Sequence, residues 1–476
     1  MEIDLGQAPK VAQQGLRVGA RRGVLGGIVF GALSGIVSCS EAPVETLGSD
    51  SNRPHVVFAL IDTLRADHVG AYGYARETSP FMDSLASNGV FFEDVVAQSS
   101  WTQPSVASIL TSRYPKELGA EIPFSILPEE AITLAETFAE VGYATAAVVT
   151  NPHTAPELGI MQGFEHVDID LKAPADWVVD RGIAQLSGHL EERPGDPLLL
   201  YLHFMDVHTP LTPPPPYQSM FMTDGEPGES AVARDRRKTL ALYDGALRFV
   251  DDQLARMARE LEKRGIGEET AFVVTSDHGE MFWEHIALER AMRLRKNEET
   301  LGTGHGYALF PELLRIPLAM KIPGLGARVV TKPVRGIDIA PTLLTAVGID
   351  PPEVMEGVDL LAPVGVSDAL PALSRTEGEE VPQVSLREAE WQYLRVREEE
   401  YLFRFFDPKL VDQAAIQSEE LARLRVRLDQ LDGSLEAHVP ETYHIPPELI
   451  PMLEQLGYAG NVRESRESNG EGASEN

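Results

Sequence analysis

Three apolar runs of strand length end on carboxylates or imidazoles, and that arrangement constrains the fold of this chain more than any other feature. HVVFALI, from His55 to Ile61, runs straight into Asp62. TAFVVTSDHGE carries an apolar run from Ala271 to Val274 and delivers Asp277 and His278 just past its end. LLLYLHF, from Leu198 to Phe204, is followed by Asp206 and His208. Apolar runs without polar alternation read as strands buried on both faces, which belong to parallel sheets covered by helices. Open α/β sheets bind ligands beyond the carboxyl ends of such strands. Oxygen and nitrogen donors together suit a divalent cation there. Taken singly, each Asp reads equally well as a helix cap or a turn residue.

Thr102, in SSWTQPSVASILTSRYP, stands just before a Pro-initiated amphipathic helix. Pro104 suits a first helical turn, where a missing N–H costs nothing, and Val106, Ile109 and Leu110 recur at helical spacing. The Thr102 hydroxyl would face free N–H groups and the positive dipole end of that helix, a place for an anion. Alone, such a residue reads as an N-cap. Beside Asp62, Asp277 and His278 it reads as a nucleophile.

The blocks IDTLRADHVGAYGY, TSPFMDSLASNGVFFEDVVAQSSWTQPSVASILTSRYP, GYATAAVVTNP, LYLHFMDVHTPLTPP, FVVTSDHGE, GHGYALFPELLRIPL and DIAPTLLTAVGI occur in that order from about His55 to Thr345. In order and spacing the chain resembles the sulfatase family of the alkaline phosphatase superfamily. The resemblance implies an α/β fold, a mixed and mostly parallel sheet sandwiched by helices, over residues 54–360. It also implies a smaller α+β C-terminal subdomain over 384–461, for which VPQVSLRE and WQYLRVREEEYLFRFF supply antiparallel strands. The Pro-, Gly- and Glu-rich stretch 361–383 reads as a linker or variable loop, and the polar tail 462–476 as disordered. A chain of 476 residues with 43% hydrophobic side chains can bury the core this requires.

Typical sulfatases use a formylglycine made from Cys or Ser within C-x-P-S-R. Here the corresponding stretch is Thr102-Gln103-Pro104-Ser105-Val106, and Cys39 is the only cysteine. An unmodified Thr can attack phosphorus directly when a cation lowers its proton affinity, and superfamily relatives resemble this chain in using Thr. A Thr-O-sulfate has no hemiacetal route for expelling sulfate and would need attack at sulfur, which favours a phosphoester over the sulfate ester that the surrounding blocks suggest. By resemblance the metal set is Asp62, Thr102, Asp277 and His278. Thr63 stands where typical members have a second Asp, and His278 where they often have Asn, which shifts the site from calcium toward magnesium, manganese or zinc. By the same resemblance His208 and His305 contact the ester or protonate its leaving oxygen, and Asn151 contacts substrate, with His153 beside it in TNPH. An alternative places a second metal on Asp206, His208 and His305. His203, inside its strand, reads as a core histidine.

Lys10, Arg17, Arg21 and Arg22 precede an apolar run from Gly23 to Val37 and then IVSC, ending at Cys39. The run is short for a spanning helix and resembles a bacterial lipoprotein signal over 1–39, followed by a flexible tether over 40–53. That reading implies export and a lipid anchor at a membrane of the cell envelope. The 73 acidic against 41 basic residues give a net charge of −32, which disfavours nucleic acid as a partner. The expected activity is metal-dependent hydrolysis of an anionic sulfate or phosphate ester through Thr102. Two alternatives stay open: a phosphoryl transferase acting on envelope lipids or glycans, and a catalytically silent surface lipoprotein in which Thr102 only caps a helix.

Overall fold

The computed structural model describes residues 53–455 apart from 172, 296–299, 363–369, 378–380 and 448–449. The expected lipoprotein signal 1–39, the tether up to residue 52 and the tail 462–476 lie outside the described residues.

The central strand is β1 (His55–Ile61). Its residues Val56, Phe58 and Leu60 enter one apolar layer, while Val57, Ala59 and Ile61 enter the other. Period-two alternation in a strand with no polar face therefore demands cover on both sides. Around it lie β2 (Val90–Val96), β3 (Ala144–Val149), β4 (His166–Ile169), β5 (Leu198–Phe204), β6 (Thr270–Thr275), β7 (Arg315–Lys321), β8 (Arg328–Val330) and β9 (Val334–Arg335). The order across the sheet is β8-β2-β7-β6-β1-β5-β3-β4, with β9 also on β2. Every pairing is parallel except those of β7 with β2 and β6.

Six helices supply the cover: α1 (Pro80–Asn88), α2 (Thr102–Thr111), α3 (Leu134–Glu140), α4 (Ala175–Glu192), α5 (Ala231–Lys263) and α6 (Ile339–Ala346). Helices α2, α3 and α6 share the layer of Val56, Phe58 and Leu60. Helices α1, α4 and α5 share the other. Continuing the alternation of β1 by one step puts Asp62 on the α2 side, and this places the site.

A second, antiparallel sheet takes its strands in consecutive order: β10 (Ala372–Thr376), β11 (Gln383–Glu388), β12 (Trp391–Val396) and β13 (Glu399–Arg404). Strand β10 falls within 361–383, the stretch expected to be a linker or loop. Its polar surroundings hide a short run, ALSRT, that is buried because the main domain receives it. The Ser374 hydroxyl donates to the Ala97 carbonyl at 2.6 Å, and the Arg375 N–H to the Gln98 carbonyl at 2.9 Å. Arg387 adds a buried ion pair to Asp94 at 2.8 Å.

One glycine fixes the turn that follows β6. A Cβ at Gly279 would lie 1.9 Å from the Glu312 carbonyl oxygen, so the backbone there must pass close to the neighbouring segment. Gly279→Ala is expected to cost about 1–3 kcal/mol of stability through overpacking. An unchanged urea midpoint for this variant would contradict the close approach.

Candidate active site

The carboxyl ends of β1, β5, β6 and β3 bring Asp62, His203, Asp277 and Asn151 together. His203 pairs in register with Leu60, as does Thr275 on the opposite side. Ligand atoms of Asp62, His203 and Asp277 all lie within 4.8 Å of one another, and all three residues are buried. His278 Nε2 joins them at 3.4 Å from Asp277 Oδ2 and 3.8 Å from Asp62 Oδ1.

Thr102 completes the group, and it is not the N-cap that it reads as when taken alone. It is the first residue of α2, whose N-cap is Trp101 in an extended conformation with no side-chain cap bond. The Thr102 hydroxyl is turned into the site instead, 3.3 Å from Asp62 Oδ2 and 3.3 Å from His278 Nε2. Asn151 Nδ2 donates to both Asp62 Oδ2 and Thr102 Oγ1, at 2.5 and 3.3 Å. The start of α2 is anchored from below, because the Ser105 hydroxyl donates to the Asp277 carbonyl at 2.6 Å and Gln103 bonds to Ser125 and Phe124.

His203 corrects the sequence reading, since it is no bystander of the core. Its Nε2 lies 3.2 Å from Asp62 Oδ2, and its Nδ1 is 3.3 Å from the Tyr201 hydroxyl. An imidazole one residue before the end of a fully buried strand was the signal that could have identified it. Thr63 contributes no ligand: its hydroxyl donates to the Asp62 carbonyl at 2.7 Å, and its backbone N–H donates to Asp277 Oδ1 at 3.2 Å.

Asp206 does not meet His208 and His305. Its Oδ1 accepts from the Ala175 N–H at the start of α4 at 3.1 Å, and burial pushes its carboxyl up to about 7. Among the described residues no second group of ligand atoms forms around it, so the two-metal alternative has no structural support here. Asp206→Ala is expected to cost about 1 kcal/mol as a lost helix cap and to leave the divalent-metal content unchanged. A lower metal stoichiometry in this variant would restore the second site.

His208 and His305 flank the group from its other side. Their ring centroids are 4.9 Å apart, and His305 lies 4.5 Å from the His278 ring. The His208 Nδ1 pairs with the Thr209 carbonyl oxygen at 2.5 Å. His153 sits behind the site, stacked on Phe124 with Nδ1 3.2 Å from Gln103 Oε1. Burial drives its proton affinity down to about 3, so it stays neutral. Sequence reasoning also passed over Glu280, which is fully buried and pairs with His305.

The electrostatics fit a bound cation. Burial opposes ionisation of Asp62, yet the His203 hydrogen bond and the fields of His208 and His278 outweigh it and hold this carboxyl well below the usual range. Burial and the Asp62 charge push Asp277 up to about 7. Burial lowers His278, which leaves its imidazole neutral and able to ligate. Asp62 Oδ1 and Asp277 Oδ2 are buried and accept no hydrogen bond. Two adjacent carboxylates with one unsatisfied oxygen each are costly unless a cation neutralises them.

Sequence comparison places the chain among ester hydrolases. The sulfatase family profile matches residues 54–349, more than half of the chain, so the chain belongs to the sulfatase family. It is 26% identical over 364 residues to an ulvan-active sulfatase of Formosa agariphila, covering 68% of each chain. With an arylsulfatase of Clostridium perfringens it shares 24% identity over 390 residues, 65% of this chain and 78% of the relative. The crystal structure of the phosphonate monoester hydrolase of Agrobacterium radiobacter superimposes with a TM-score of 0.65 at 19% identity, covering 83% of this chain and all of the other. That likeness shows the fold. The protein is accordingly a sulfatase-like ester hydrolase.

Proposed function

We propose that the protein hydrolyses a sulfate or phosphorus-acid ester by direct attack of the Thr102 hydroxyl. The placement of that hydroxyl carries the reading: it lies at a helix N-terminus, within 3.3 Å of both Asp62 and His278. A divalent cation would be held by Asp62, His203, Asp277 and His278, and would supply the positive charge that favours the Thr alkoxide and the ester oxygens.

The chain's own groups account for the remaining steps. Asp62 Oδ2 and Asn151 Nδ2 fix the rotamer of Thr102, so its oxygen is held in one orientation before the ester arrives. Free N–H groups in the first turn of α2 favour negative charge on the ester's non-bridging oxygens. Thr102 attacks as the alkoxide, its proton having passed to solvent. Attack forms the bond from Thr102 Oγ1 to sulfur or phosphorus and breaks the bond to the leaving oxygen, which takes a proton from His305 or His208. Water then attacks the same sulfur or phosphorus atom, giving a proton back to that histidine, and the bond to Thr102 breaks to return its alkoxide. Without a formylglycine there is no hemiacetal route for expulsion, so the second step repeats the chemistry of the first.

An N-acetylgalactosamine-6-O-sulfatase among the relatives, beside the ulvan-active sulfatase, supports a sulfated sugar as the substrate class. The test is turnover by the purified protein of a panel holding an aryl sulfate, an aryl phosphate, an aryl phosphodiester and a sulfated oligosaccharide. Hydrolysis of at least one is expected. A metal-loaded protein that cleaves none of these would defeat the proposal and favour the silent surface protein.

A further inference from the structure

We propose that Glu280 is the positioning residue for His305, fixing the imidazole that protonates the leaving oxygen. The inference rests on the ester-cleavage reading above and deepens it.

The backbone brings the two side chains together. Met281 pairs with Gly304 and Phe282 with Thr303 in a short antiparallel ladder. One further step along that register sets Glu280 opposite His305, and opposite residues of a ladder have neighbouring side chains. Gly304 and Gly306, at φ 86° and 79°, adopt the left-handed conformation on either side of His305, which side chains other than glycine adopt reluctantly. The Gly306 N–H donates to the Ser100 carbonyl at 2.8 Å, tying this segment to the approach to α2. Arg65 Nη1 donates to the Glu280 carbonyl at 3.0 Å and fixes the other partner.

Glu280 Oε2 lies 3.2 Å from His305 Nδ1, while Oε1 is buried and accepts no hydrogen bond. Among the described residues no Lys or Arg forms an ion pair with its carboxylate, and His305 is its one ionic partner. A buried carboxylate is costly; a purely structural role would be met better by an apolar side chain or by a paired arginine. A carboxylate accepts hydrogen bonds and donates none, so the proton of their bond sits on His305 Nδ1. Nε2 is then the nitrogen that exchanges a proton with the ester, as in the carboxylate–imidazole pairs that set the tautomer of catalytic histidines.

The test uses the full-length, metal-loaded protein and two esters of one acid, a 4-nitrophenyl ester and an alkyl ester. Nitrophenolate leaves without help, whereas an alkoxide needs a proton. Glu280→Ala and His305→Ala are each expected to lose about 100-fold or more in kcat on the alkyl ester and less than about 5-fold on the nitrophenyl ester. Glu280→Gln keeps an acceptor oxygen and is expected to stay within about 10-fold of wild type on both. The double variant Glu280→Ala/His305→Ala is expected to match His305→Ala, because both changes remove one function. Should Glu280→Ala not fold, Glu280→Asp, whose shorter side chain withdraws the carboxylate from the ring, carries the same comparison. Equal losses on both esters, or losses that multiply in the double variant, overturn the positioning role while leaving the ester-cleavage reading intact. Failure of the wild type on both esters overturns the two together.

Discussion

Thr102→Ala is expected to retain the fold and its bound metal while losing about a thousandfold or more in kcat, the scale seen when a covalent nucleophile is removed. The Thr102 hydroxyl makes only long contacts, 3.3 Å each to Asp62, His278 and Asn151, so its deletion is expected to change stability by less than about 1 kcal/mol. That contrast separates a nucleophile from a structural cap. A cap is a stability device, and here no cap bond is made by the side chain that precedes α2. Thr102→Ser keeps the oxygen and loses only the methyl group that narrows the rotamer choice, so it is expected to keep at least about a tenth of the wild-type rate. The measurement is steady-state turnover of the best substrate, with thermal unfolding and metal content of each variant recorded beside it. Equal rates for wild type and Thr102→Ala would exclude this oxygen as the attacking group.

The placement of Thr102 also shows where sequence was sufficient and where it was not. Strands buried on both faces announce themselves, and β1 and β5 occupy the very residues, His55–Ile61 and Leu198–Phe204, that their apolar runs mark. Polar residues just past such runs, Asp62, Asp277 and His278, converge because parallel strands put their carboxyl ends on one edge. Residues inside a run are harder. His203 and Leu202 are both buried in the same strand, and only the identity of the opposing strand end shows that His203 meets Asp62. Asp206 misleads for the converse reason: it follows the same run, but the chain turns so that its carboxylate caps α4. Glu280 depends on a cross-strand register between Met281 and Gly304 that no periodicity reveals. Strand β10 is equally silent, since its burial comes from Ala97 and Gln98, just past the end of β2, rather than from its own pattern.

Metal removal is expected to destabilise the protein by an amount that grows with pH. Asp277 is raised to about 7 by burial and by the Asp62 charge, whereas an unfolded Asp titrates near 4. Between those values the metal-free folded state binds more protons at this position than the unfolded state does. The sign is therefore negative: metal-free stability falls as pH rises from about 4 through about 7. Asp206 and Asp251 are also raised to about 7 by burial, but they titrate in the metal-free and metal-bound proteins alike and cancel in the difference. A cation takes the place of the Asp277 proton, so its affinity is expected to weaken about tenfold for each pH unit below about 7 and to level off above. The gap in Tm between metal-loaded and chelator-treated protein should accordingly widen from pH 5 to pH 8, following the gain in binding free energy. Asp277→Asn removes both the ligand charge and the proton, and is expected to abolish the gap and its pH dependence together. A gap that stays constant across this range, or that survives in Asp277→Asn, would mean that the cation is held elsewhere than between Asp62 and Asp277.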